Sequence, residues 1–319
     1  MLKEEGSMRL AAVTLIGVLS WTLPGGAMVP QETRPRFQSR VTLVAVTAVV
    51  RKKNGQPVTG LRPDDFELYD NGERRTIAQF QSMASKISVA LLLDFSGSME
   101  VGAKMTAAHD AAQNLLSRLE PGSDEAGLFA FDSDLRELQA IEPAPGAILA
   151  KLDAAKPYGV TSLYDAIAGA GRVLSDRGGP RRAIVALTDG ADNSSRLTPS
   201  EVSRIASAID VPVYVFVMVS PLDRSGASVL DEKGLDATLQ GPLGDLARWT
   251  GGDIFAIFSP ATSMAAAGQV VSELRQQYLI AFSPGVTPGW HAIDVRTRQK
   301  NLIVRARSGY VVSSAADVH

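Results

Sequence analysis

The chain has 319 residues, 45% of them apolar and 21% charged, with 32 basic against 34 acidic side chains and a formal charge of −2. This is globular composition, and it excludes a disordered, collagenous or coiled-coil chain over most of the length. Cysteine is absent and histidine occurs only at His109, His291 and His319, which removes disulfides, thiolate metal sites and thiol nucleophiles and leaves little for histidine chemistry. The charge is unevenly spread. Residues 1–85 carry net +3, residues 86–283 net −8 and residues 284–319 net +3. That split implies a distinct central unit with two flanks, and the absence of a basic excess speaks against nucleic acid as a partner.

Residues 10–23 form one apolar run, LAAVTLIGVLSWTL, followed by Gly25-Gly26-Ala27. Fourteen residues are short for a bilayer span, which needs about 20. Small residues at the end of a short apolar run read as a secretory signal peptide over 1–27, cleaved after Ala27, and therefore as export to the periplasm or the extracellular space. Glu4 and Glu5 do not suit the positive start of such a segment, whereas a start at Met8-Arg9 does. Residues 28–39 are polar with two prolines and read as a linker. The β-rich run Val41–Val50 comes next, with hairpin signals at Asn54-Gly55 and at Asn71-Gly72, the second placed between strands over 66–69 and 76–80. Residues 28–85 are thus a linker and a small N-terminal β segment.

From residue 86 the pattern alternates between strand and helix. Ile87–Leu93 and Ala183–Thr188 are apolar runs of the kind expected in strands buried on both faces. Further strands are predicted over 126–131, 211–219 and 254–258. Helices are predicted over 104–119, 147–152, 162–174, 243–250 and 264–276. One more opens at the capping box Thr198-Pro199-Ser200-Glu201. Residues 220–241 show no period and read as an inserted loop near one rim. The fold class is α/β over 86–283, a doubly wound, mostly parallel sheet with helices on both faces. After Gln277 the pattern turns to β again, and 284–319 form a C-terminal β segment. Domains of this kind bring their ends close, so the two β flanks are expected to meet in a small accessory domain.

The chemistry gathers at one edge. In a parallel α/β sheet, ligands collect outside the carboxyl ends of the strands. The first buried strand ends in Asp94-Phe95-Ser96-Gly97-Ser98, the second in Leu187-Thr188-Asp189-Gly190, and Thr161 lies in the loop before a helix. Asp94, Ser96, Ser98, Thr161 and Asp189 offer only oxygen, which suits Mg²⁺ or Mn²⁺, and Ca²⁺ less well because the carboxylates are few. Five such donors leave an open coordination position. If one Asp acts only through water, the site keeps net positive charge and attracts an anion, most simply an Asp or Glu carboxylate of a protein partner. Asp165 and Asp192 lie nearby and read as hydrogen-bonded supports and not as ligands.

These motifs resemble the metal-ion-dependent adhesion site of von Willebrand factor type A domains. The likeness rests on D-F-S-G-S at 94–98, G-V-T-S-L-Y-D-A-I around Thr161 and L-T-D-G at 187–190, and it covers roughly 87–283. It implies a Rossmann-like domain holding Mg²⁺ on its top face. The flanks, G-Q-P-V-T-G-L at 55–61 with Asp64-Asp65-Phe66 and the late Arg307-Ser308-Gly309-Tyr310, are similar to a bacterial von Willebrand factor A-related family abundant in Acidobacteria. A phosphate loop over 97–102 is disfavoured, because Lys104 comes one residue late, no Ser or Thr comes directly after it, and Glu100 would repel phosphate. The expected function is exported, metal-dependent protein binding without catalysis. The alternatives are a Mg²⁺-dependent hydrolase of phosphatase type and a structural module with incidental metal.

Overall fold

A computed structural model describes residues 43–82, 86–143, 146–152, 159–177, 181–208, 210–223 and 232–312. The signal peptide expected over 1–27 and the linker over 28–39 lie outside the described residues. No helix among the described residues is long and apolar enough to cross a membrane.

The N-terminal flank supplies β1 (Val44–Lys52), β2 (Phe66–Asp70), β3 (Glu73–Arg75) and β4 (Ile77–Gln81). The central unit then runs β5 (Ser88–Asp94), α1 (Lys104–Leu116), β6 (Glu125–Phe131), β7 (Leu135–Glu142), α2 (Gly146–Leu152), α3 (Leu163–Ser175) and β8 (Arg182–Thr188). It continues with α4 (Pro199–Ala208), β9 (Val213–Met218), α5 (Glu232–Gln240), α6 (Pro242–Trp249), β10 (Ile254–Ile257) and α7 (Pro260–Arg275). The chain closes with β11 (Tyr278–Phe282), β12 (Gly289–Thr297), β13 (Leu302–Ala306) and β14 (Gly309–Val312).

The central sheet has the order β10-β9-β8-β5-β6-β7. All neighbours are parallel except β7, which runs antiparallel at the edge. Every residue of β5 is buried, because its alternate side chains serve two cores. Val89, Leu91 and Leu93 pack in the layer with α1 and α7. Ala90 and Leu92 pack in the layer with α3, α4 and α6. Each fully buried Leu contributes roughly 1.5–3 kcal/mol. From β5 the chain steps to β6 on one side and later returns to β8 on the other. The winding reverses there, and such a switch point leaves a crevice at the carboxyl ends of the two strands. β7 and α5 are additions to the pattern read from the sequence, and α5 replaces part of the irregular loop expected over 220–241.

The two flanks meet. β1 pairs antiparallel with both β11 and β13, and β11 also pairs with β4. A second sheet has the order β14-β12-β2-β3. Val46, Val50, Phe66, Leu68, Tyr278, Ile280, Phe282, Ile293 and Tyr310 form one core between the two sheets. The strand over 278–282, inside the span expected for the central unit, belongs to this accessory sheet. The Asn71-Gly72 turn is as expected, with Asn71 at φ 51° and Gly72 at φ 82°. Its return strand, however, is Glu73–Arg75, and the chain then crosses to the other sheet as β4.

Ion pairs, with Glu273 buried and its partners partly buried, join the layers. Glu273 of α7 and Asp253 both pair with Arg305 of β13, and Arg51 of β1 lies 3.2 Å from Asp253. The Tyr214 hydroxyl of β9 donates to Glu273 at 3.1 Å. Within the accessory core, His291 is buried between two acceptors. Its Nδ1 is 2.7 Å from Asp70 Oδ1 and its Nε2 is 2.7 Å from the Thr287 carbonyl. A ring that donates from both nitrogens is an imidazolium.

The Thr287 carbonyl raises the pKa of His291 against the cost of burial, and Asp70 raises it further. Burial works against Asp70, but His291, the Gly285 N–H and the Tyr310 hydroxyl outweigh it and hold the carboxyl below its usual range. The histidine contribution to stability is therefore complete below about pH 6.5 and lost as pH rises through the raised value. The Asp70 contribution is present above about pH 4 and lost as pH falls through the lowered value. The expected result is a melting temperature that falls as pH rises above about 6.5. His291→Asn should flatten that slope and cost about 3–5 kcal/mol at pH 6, the usual effect of leaving one partner of a buried pair. Calorimetric melting of both proteins across pH checks this.

Candidate metal centre

Asp94 closes β5 and Thr188-Asp189 closes β8, so the two carboxylates leave adjacent strands at the switch point. Asp94 is completely buried, with Oδ1 accepting the Ser96 N–H at 2.8 Å and Oδ2 accepting the Thr188 hydroxyl at 2.6 Å. The turn after β5 places the Ser96 and Ser98 hydroxyls 3.0 Å apart. The Gly97 N–H bonds the Gly159 carbonyl at 3.3 Å, which ties that turn to the loop carrying Thr161. Thr161 is buried, and its backbone is fixed from both sides. Its N–H donates to Asn193 Oδ1 at 2.9 Å, while its carbonyl accepts from the N–H groups of Asn193 and Ser194 at 3.1 Å.

Burial pushes the Asp94 carboxyl up to about 6; the Thr188 and Ser96 hydrogen bonds oppose this, and the neighbouring Asp189 charge adds to it. Asp189 is nearly as buried. Its Oδ1 accepts the Ala191 N–H at 3.3 Å and its Oδ2 lies 3.1 Å from the Lys104 ammonium. No group of three or more His, Cys, Asp or Glu that could hold a metal occurs among the described residues. The five residues expected from the sequence would offer two carboxylates and three hydroxyls, and such a donor set suits a small hard cation. Neighbouring ligands at about 2.1 Å and right angles lie roughly 3 Å apart, which is the separation of the two serine hydroxyls.

Asp165 and Asp192 act as loop supports. Asp192 Oδ2 accepts the Tyr164 N–H and the Ser195 hydroxyl, and Asp165 accepts the N–H groups of Arg196 and Leu197. The sequence pattern missed Thr188, Asn193 and Lys104. The first two lie within or just after the L-T-D-G motif and could have been suspected from that position alone. Lys104, out of register for a phosphate loop, is joined to Asp189 only by the folded chain.

Residues 89–191 match the family model of the von Willebrand factor type A domain. The chain carries a von Willebrand factor type A domain. Solved structures similar to the chain include an aerotolerance-related membrane protein from Bacteroides fragilis, 22% identical over 59% of this chain and 98% of that one, TM-score 0.46. BatB from Bacteroides thetaiotaomicron is 19% identical over 59% and 98%, TM-score 0.45. A von Willebrand factor type A protein from Catenulispora acidiphila is 15% identical over 88% and 76%, TM-score 0.45. No curated protein matches the chain.

Around the same edge of the type A domain, Val101, Leu222 and Phe258 are exposed apolar side chains, each at 40% or more. Phe258 lines a cleft of about 210 Å³ with Gly102, Lys104, Ser220 and Pro221. Within the domain, Thr188 is the residue whose loss isolates Asp94 most directly. Thr188→Val keeps the shape but removes the donor to buried Oδ2. The expected cost is about 1–3 kcal/mol of stability in urea unfolding without divalent ions.

Proposed function

We propose that this chain is an exported, non-enzymatic protein-binding module that works through a divalent cation. Asp94, Ser96, Ser98, Thr161 and Asp189 would hold one Mg²⁺ or Mn²⁺. The ion, when bound, supplies an open electrophilic position for an Asp or Glu carboxylate of a protein partner. The observation that carries this reading is the meeting of two carboxylates and two serine hydroxyls, 3.0 Å apart, at the β5/β8 crevice. A dication there would oppose the burial that otherwise favours protonated Asp94. Protein partners are the class that the type A domain points to. The exposed Val101, Leu222 and Phe258 at this edge suit contacts flanking a carboxylate. The net −8 of residues 86–283 disfavours polyanions. Lys104 is engaged by Asp189 and Asp223, which does not favour the hydrolase reading. Export rests on the apolar run over 10–23 and the small residues after it.

Asp94→Ala and Asp189→Ala should each weaken Mn²⁺ binding by about 10- to 100-fold or more while the melting curve stays cooperative. Isothermal titration reads this, and unchanged affinity in Asp94→Ala refutes the site. Partner capture from extracellular protein of the source culture should then require Mg²⁺ or Mn²⁺, fall in Ca²⁺ and vanish in EDTA. Capture that is equal in all conditions refutes metal-dependent binding.

A further inference from the structure

Lys104 occupies a place that ordinarily disfavours lysine. It is the first residue of α1, at the positive end of the helix dipole, and it is only 5% exposed. The chain enters the helix through two successive left-handed residues, Gly102 at φ 65° and Ala103 at φ 62°. That conformation is unfavourable for alanine. A pair of carboxylates from distant parts of the chain offsets these costs. The ammonium lies 3.1 Å from Asp189 Oδ2 and 3.6 Å from Asp223 Oδ1.

Asp223 is oriented for this contact. Its Oδ2 accepts the Ser220 N–H at 2.7 Å, and its own N–H bonds the Ser220 hydroxyl at 3.2 Å. Oδ1 faces Lys104. Gly102 makes the approach possible, since a Cβ there would sit 2.6 Å from the Ser220 Cβ. The turn before α1 and the turn after β9 are thereby packed together, with the lysine between their two acidic neighbours.

We propose that Lys104 is a built-in counter-cation that passes between Asp189 and Asp223 according to whether a divalent ion holds Asp189. This rests on the reading of Asp189 as a metal ligand. An ammonium and a dication repel each other and compete for the same carboxylate. The two carboxylate contacts differ by about half an ångström, so a small rotation of the lysine side chain transfers its charge. Asp223 therefore receives the ammonium when the ion arrives. Lys104 accordingly lowers metal affinity below what the donors alone would give, and the Ser220–Asp223 turn registers occupancy.

The test compares the full chain, Lys104→Met and Asp223→Asn by Mn²⁺ titration calorimetry at low salt. Lys104→Met removes the competing charge and should bind Mn²⁺ about tenfold or more tightly. Asp223→Asn removes the receiving carboxylate, leaves the ammonium on Asp189, and should bind about tenfold or more weakly. Hydrogen exchange adds a second readout. Mn²⁺ should slow the Ser220 and Asp223 amides in the parent chain and leave them unchanged in Lys104→Met. Unchanged or weaker binding by a folded Lys104→Met overturns the proposal. If that variant does not fold, unchanged or tighter binding by Asp223→Asn overturns it. A parent chain that binds no Mn²⁺ overturns the metal site itself and this proposal with it, whereas a parent that binds while the variants fail to diverge overturns only the role of Lys104.

Discussion

Two carboxylates leave neighbouring strands at one edge, and most of that edge is arranged around keeping their charge out of water. Asp94 is completely buried and Asp189 nearly so. Neither would stay there without the donors converging on them. Thr188 and the Ser96 N–H serve Asp94, while Lys104 and the Ala191 N–H serve Asp189. The strands cannot place these groups elsewhere, because β5 is apolar on both faces and only its end reaches the crevice. The position of the site is thus a consequence of burying Val89–Leu93. Its chemistry comes from the polar turn Asp94–Ser98 that directly succeeds the buried run.

Much of this was legible in the residues. Apolar runs such as Ile87–Leu93 and Ala183–Thr188 mark central parallel strands, because both faces must be covered. The D-x-S-x-S spacing is local and visible. The features that escape a sequence reading do so for physical reasons. β7 reads Leu-Arg-Glu-Leu-Gln-Ala-Ile-Glu and lies at an edge with one face in solvent, so its pattern is weak. α5 contains Gly234 and only a few apolar residues, and propensity alone is a poor guide there. The Lys104–Asp189 contact spans 85 positions. It depends on two left-handed residues, one of them alanine, and nothing in the sequence announces it.

The ionic joint between layers has a different character from the core. Arg305, Arg51, Glu273 and Asp253 are drawn from both flanks and from the central unit. Pairs of this kind return little net stability after desolvation, but each requires its partners in one arrangement. They fix how β1 and β13 sit against α7 and the start of β10. Tyr214 adds the central sheet to the same joint through Glu273.

The pairing of β1 with β11 has a consequence for the order in which the molecule is made. Val44 lies opposite Phe282 and Ala48 opposite Ala306, so the first strand of the described structure waits for these distant partners before it is enclosed. The intervening α/β layer has its own contiguous core and can close as its strands emerge. The accessory sheets cannot, since both draw strands from the two ends of the chain. A nascent chain therefore carries Val44–Lys52 as an open apolar edge until these later strands arrive, and it is in that interval that strand-to-strand aggregation has its opportunity.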